Sequence, residues 1–217
     1  TRNSGLGGCG GIYNAGNAIV INSTFDNNST FIGGARSGEP RFAKPLQQSS
    51  APGGGIYNAN VLALVNTTLF ANRADGATGG NIYNVGTVNA NFVTIASGLT
   101  YGSGGNIGNG GTFNLNVSLV AGFGDTSSCD GGVSAVNSYT DDPSCSSLTF
   151  QSSLGLDNFL SYIGGNTSVL NLQAGSPVLD VLADCLGINT DQALTLRPTD
   201  GNADTVAQCD PGAVEYV

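Results

Sequence analysis

The 217-residue sequence contains no histidine, methionine or tryptophan, and only 10% of its residues are charged. Lack of histidine removes the usual base of serine and cysteine triads and the commonest ligand of zinc and copper. No stretch approaches the roughly 18–20 consecutive apolar residues that a membrane span needs. Basic residues number six against fifteen acidic ones. A nucleic-acid partner is therefore not expected, because phosphate binding needs a basic surface. No signal peptide is legible either: Thr1 opens inside repeat-like sequence, so the chain reads as a processed or excised piece.

Glycine, by contrast, supplies 34 residues, and 40% of the chain is apolar. A disordered chain would be poor in β-branched and aromatic residues. Here Val, Ile and Thr recur in short runs, which favours an all-β protein with many turns. Charge is unevenly placed: residues 1–124 carry a net +2 and residues 125–217 a net −11. The acidic half either aids solubility or marks a functional surface.

A period organises the first half. The segment GGIYN stands at Gly10–Asn14 and again at Gly54–Asn58, GGNIYN ends at Asn84, and a degenerate GGNIGN ends at Asn109. Tyr57 to Tyr83 is 26 residues and Tyr83 to Gly108 is 25, whereas Tyr13 to Tyr57 is 44, one period plus an insertion. Thr24, Thr68 and Thr94 each fall eleven residues after the tyrosine, with Ser118 read as the fourth member. Asn22, Asn66 and Asn116 are read as a shared corner, a column that Phe92 interrupts.

Short strands pairing in parallel at about 4.8 Å would stack equivalent residues. Gly and Asn would turn the corners, and stacked Asn side chains would hydrogen-bond along a column. The expected fold is thus all-β: a right-handed parallel β-helix, or solenoid. Residues 1–124 are read as repeats interrupted by a loop at 34–52. Residues 125–217 are read as continuing repeats with a disulfide-bonded, cap-like C-terminal region. A helical solenoid is excluded by the glycine content of the repeats.

At these residues a family resemblance becomes legible. Gly53-Gly54-Gly55-Ile56, the run Asn66-Thr67-Thr68-Leu69 leading to Asn72, and Phe25-Asp26-Asn27-Asn28 resemble the GGA[ILV] and FxxN repeats of polymorphic outer-membrane proteins. The whole chain is similar to extracellular bacterial β-helix proteins of the CSLREA or choice-of-anchor Q type. The matching segments are Cys129-Asp130-Gly131-Gly132, Val136 to Tyr139, Cys145, Leu172 to Asp180, Cys185, Thr190-Asp191-Gln192 and Cys209 to Tyr216. The group has Arg directly after this Gln; here Ala193 stands there, with Arg197 as a candidate replacement.

The resemblance implies an extracellular protein with disulfides Cys129–Cys145 and Cys185–Cys209, and no established reaction. Such pairs belong to an oxidising compartment. Cys9 is left over, either as a small core residue or as the partner of an intermolecular disulfide.

Parallel β-helices include pectin lyases and polygalacturonases, which work through clustered carboxylates, calcium and basic groups. The repeats offer only Asp26, Glu39 and Asp75, in no shared column, and Asp141-Asp142 beside Pro143 reads as a turn. No catalytic residue is assigned and no enzyme is expected. Asp200-Gly201-Asn202-Ala203-Asp204 resembles half of a calcium loop but has Pro211 where the twelfth-position acid belongs. A plain turn is the preferred reading, with calcium the alternative and no other cofactor expected.

Sequons occur at Asn22, Asn27, Asn28, Asn66, Asn116 and Asn166, of which Asn28 and Asn166 are the best glycosylation candidates. The Thr column raises ice binding, for which one broken column is weak support.

The loop at 34–52 carries Arg36, Arg41, Phe42 and Lys44, and with Cys9 these are the candidate contact residues. Two functions remain open. One is a cell-surface structural protein assembling head to tail into a filament or sheath. The other is an adhesin-type module binding glycan or protein along its side.

Overall fold

A computed structural model describes residues 3–6, 9–31, 52–75, 78–122 and 127–217. Among these the protein is all-β, with no helix, and every strand pairing is parallel. Among the described residues no helix is long and apolar enough to cross a membrane.

The Gly-Gly-x-Ile-Tyr-Asn segments are the strands of one sheet. Ile12–Asn14, Ile56–Asn58, Ile82–Asn84 and Ile107–Asn109 stack in register, followed by Cys129–Asp130. A second sheet is built on the ten-residue strands Asn17–Asp26, Val61–Phe70 and Thr87–Ala96. It continues through Thr112–Asn116, Leu119–Ala121 and shorter strands to Thr149–Phe150. A third sheet joins Ser4–Leu6, Ser29–Phe31, Arg73–Ala74 and Leu99–Thr100.

Alternation along each long strand assigns its faces. Leu62, Leu64 and Leu69 point into the core and stack on Val88, Ala90 and Ile95, then on Phe113, Leu115 and Val120. A column of left-handed residues bends each strand and switches the alternation: Asn22, Asn66, Phe92, Val117 and Asn137, with φ between 45° and 53°. The corner is therefore Val117 in the fourth repeat, not Asn116, which pairs with Asn91. Likewise Leu119, not Ser118, stands beside Thr94. The eleven-residue spacing from Gly108 is kept and the residue type is lost. Close approach explains the paired glycines: a Cβ on Gly54 would sit 2.4 Å from the backbone of Arg73.

Asparagine ladders run along the stack, but in columns other than the corner. Asn14 donates to Asn58 (2.7 Å), Asn58 to Asn84 (2.8 Å) and Asn84 to Asn109 (2.8 Å). A second ladder runs from Asn28 to Asn72 (2.9 Å), Asn81 (2.7 Å), Asn106 (2.7 Å) and Ser128 (3.1 Å). The corner residues Asn22 and Asn66 instead leave buried, unpartnered carbonyl oxygens. Outside, Tyr13 stacks on Tyr57 with ring centres 5.1 Å apart, and Tyr83 lies tilted against Tyr57 at 5.4 Å.

The core ends at the last repeat, where Cys129, Cys145 and Leu148 join it. Residues 151–217 form isolated antiparallel bridges only. They lie along the flank of the repeats rather than over their end. Leu154, Leu156, Leu170, Leu172, Val178 and Leu179 pack on the outward side chains Phe70, Ala96, Leu119 and Ala121.

Candidate functional site

The threonine column is where the flank is fastened. Gln192 is buried between repeats: its amide donates to Thr24 and Thr167 (2.7 and 2.8 Å), and Thr68 donates to its carbonyl (2.7 Å). Thr24 also donates to the Ser168 carbonyl, and Thr94 accepts the Ala213 N–H at 2.9 Å. Asn66 donates to the Thr190 carbonyl, and the Gly212 N–H to that of Val117. These hydroxyls are covered, so they do not form the open array that ice binding would require.

Arg197 anchors the far end of the flank. Its side chain is fully buried and ion-paired with Glu215. It donates to the carbonyls of Asp210 (2.8 Å) and Gly212 (2.9 Å) and lies over the Phe92 ring. Asp180, Asp191 and Asp210 complete the cluster, each accepting backbone N–H groups: Asn202 to Asp180, Glu215 to Asp191 and Tyr216 to Asp210. Three buried carboxyls, Glu215, Asp191 and Asp210, thus act on one guanidinium, with the buried Asp180 beside Asp210. Burial raises Asp210 to about 6 and Glu215 to about 7, partly opposed by Arg197. Burial likewise lowers Arg197, against the pull of Glu215, Asp191 and Asp210.

The carboxylates outside this cluster are also bound to the fold. Asp141 accepts the Gly122 N–H, and Asp142 accepts those of Ser128 and Ser144. Burial pushes Asp141 up; at Asp142 hydrogen bonds from Ser144 and Ser128 outweigh burial and bring the carboxyl below its usual range. In the calcium-like loop, Asp200, Asn202 and Asp204 accept N–H groups of Asp204, Thr205 and Val206. Those contacts are the turn geometry of an Asx-rich loop. Among the described residues no three His, Cys, Asp or Glu side chains converge as a metal site.

The cysteines form the pairs Cys129–Cys145 and Cys185–Cys209, which points to an oxidising environment. Cys9 is free and half-buried; burial raises its thiol, and a nearby Tyr57 backbone group partly offsets the rise. The structure therefore makes it a weak nucleophile. Asn28 is buried as the first rung of its ladder, its amide committed to Asn72, whereas Asn166 is exposed. Arg36, Arg41, Phe42 and Lys44 lie outside the described residues.

No family model, curated protein or solved structure matches the chain.

One surface went unread in the sequence. Before the corner, the outward positions of the long strands form an open face that includes Ile19, 73% exposed, and Ile21, 55% exposed. On it Asn114 donates to Asn89 (2.8 Å) and Asn116 to Asn91 (3.0 Å). The signal was available in the alternation of 87–91 and 112–116, where Asn takes every second place.

Proposed function

We propose that the chain is a non-enzymatic extracellular structural protein, a right-handed parallel β-helix serving as a cell-surface or filament and sheath subunit. The three parallel sheets would be the three faces of the solenoid. The extracellular bacterial resemblance and the two disulfides support the location. Against an enzymatic role weighs the placement of the carboxylates just described: they cap turns or hold the flank, each accepting N–H groups of the fold.

The observation that carries self-association is at the first repeat. Ile12, Ala18, Val20 and Phe25 are only half-buried, whereas the residues stacked on them, Ile56, Leu62, Leu64 and Leu69, are fully covered. An open cavity of about 630 Å³ lies there, lined by Ile12, Phe25 and the flank residues Leu160, Thr167 and Ser168. Any further coil stacked on this repeat would bury those side chains and pair with the Asn17–Asp26 edge, and on the self-association reading a second copy supplies that coil. Sedimentation velocity of the full chain at low and moderate salt, with negative-stain micrographs, tests the reading. Concentration-dependent assembly is expected, and a strictly monomeric profile would sink it.

An adhesin-type role is favoured by a separate observation, the open sheet face carrying the Asn89–Asn114 and Asn91–Asn116 pairs. On that reading the rod displays a binding surface along its side.

A further inference from the structure

The open face combines three properties. It is uncharged: segments 17–21, 61–65, 87–91 and 112–116 hold no Asp, Glu, Lys or Arg, although the chain carries a net charge of −9. It is regular, because the strands stack in register, with side chains recurring at about 4.8 Å across strands and roughly 7 Å along them. It is graded, from the aliphatic Ile19 and Ile21 at one end to two amide pairs at the other. The opposite arm of the same strands, beyond the corner, is covered by the flank, so only this arm is available.

We infer that this face binds a neutral polysaccharide, laid across the strands; the inference rests on the adhesin reading and gives it a ligand class. A sugar ring presents C–H patches and hydroxyl edges together. Ile19 and Ile21 match the first and the asparagine pairs the second. Each Asn–Asn bond fixes two amides in orientation and leaves one NH₂ group and one carbonyl to meet a hydroxyl. Pre-oriented polar groups on a rigid sheet lower the ordering cost of binding. The absence of charge disfavours an anionic polymer, which would be recognised through Lys and Arg. A polymer laid across strands that stack in register meets side chains of each strand in turn, so its contacts with the aliphatic and the amide ends act together.

The test is depletion of the full chain from solution by cellulose, chitin and starch as neutral probes, with polygalacturonate as the anionic one. Two variants accompany it, I19K/I21K and N114D, each altering outward side chains; unchanged melting behaviour confirms the fold. Binding to at least one neutral polymer, insensitive to added salt and weakened about tenfold or more in both variants, is the expected result. Three outcomes would overturn the inference: no neutral polymer depletes the protein, depletion is the same in the variants, or only polygalacturonate binds and salt reverses it. A change in sedimentation of the variants without a change in depletion would assign the face to a second copy instead. Wild-type binding to a neutral polymer that both variants retain would leave the adhesin reading standing without this face. Loss of all glycan, protein and cell-surface binding would remove both.

Discussion

The guanidinium of Arg197 lies 4.1 Å from the centre of the Phe92 ring, and this contact ties the flank to a corner of the third repeat. Both residues are buried, and a desolvated cation–π contact is worth about 2 kcal/mol. The ring belongs to a bulky residue held at φ 53° in the corner column, a conformation uncommon for its type.

Removing that cation should be costly. Arg197→Met leaves Glu215, Asp210 and their neighbours without a counter-charge, and stability should fall by roughly 3–5 kcal/mol. Arg197→Lys should recover little, since an ammonium cannot stack on the ring and reach two carbonyls at once. Urea unfolding would measure both; a loss within about 0.5 kcal/mol, typical of a surface substitution, would show that the cluster does not hold the flank.

Stability should also fall as pH rises through 6 and 7. Asp210 and Glu215 titrate at about 6 and about 7 when folded, against 3.8 and 4.5 as ordinary values. Both carboxyls therefore hold protons more tightly folded than unfolded. Their contribution is complete below pH 4 and lost as pH passes the folded values. Asp142, shifted the other way, contributes above its ordinary value and loses that contribution in acid. Melting temperature should accordingly peak in mildly acidic buffer. The decline between about pH 4 and 6 should flatten in Asp210→Asn; an unchanged slope there would contradict the assignment.

Each ladder asparagine serves two neighbours. Asn58→Leu removes bonds to Asn14 and Asn84; one N–H of Asn14 is left buried and unpaired, at about 1–3 kcal/mol, and the Asn84 carbonyl keeps only the Gly86 N–H. Amide hydrogen exchange should accelerate in the first three repeats before it does in the flank. Uniform acceleration would mean the repeats and flank unfold as one.

Produced in a glycosylating host, the chain should carry sugar at Asn166 and not at Asn28. The former is exposed, and the latter is locked beneath Asn3 and against Asn72. Glycopeptide mass spectrometry decides this, and occupancy at Asn28 would mean the first repeat is modified before it folds.

Disulfide removal separates two supports. Each bond closes a loop of 16 or 24 residues, for about 3 kcal/mol by loop entropy. Cys129→Ser should loosen the end of the core, since both partners lie in it. Cys185→Ser should loosen the flank near Phe92 and Val117, beside which Cys209 packs. Limited proteolysis distinguishes them by where the first cut falls.

The repeat and its register were legible because glycine, isoleucine and asparagine recur where a stacked chain needs close approach, filling and a ladder. The ladder columns were misplaced for a physical reason: Asn is equally at home at a left-handed corner and on a hydrogen-bonded rung, and spacing does not separate the two. Ser118 was drawn into the threonine column because its hydroxyl resembled the others, whereas the backbone kept Leu119 in place. The flank was legible only as a motif. Gln192 and Arg197 act across 124 and 105 positions, on Thr68 and Phe92, and no local pattern records a contact of that range.

The first ladder closes at 2.7 or 2.8 Å whether 44, 26 or 25 residues separate its rungs. Hydrogen bonding in this column is thus indifferent to how much chain intervenes. A lineage carrying such a column can acquire, lengthen or discard an excursion between Phe31 and Gly53 without retuning the interior. The same indifference makes that junction a place to graft a foreign epitope while the stacked sheets keep their register.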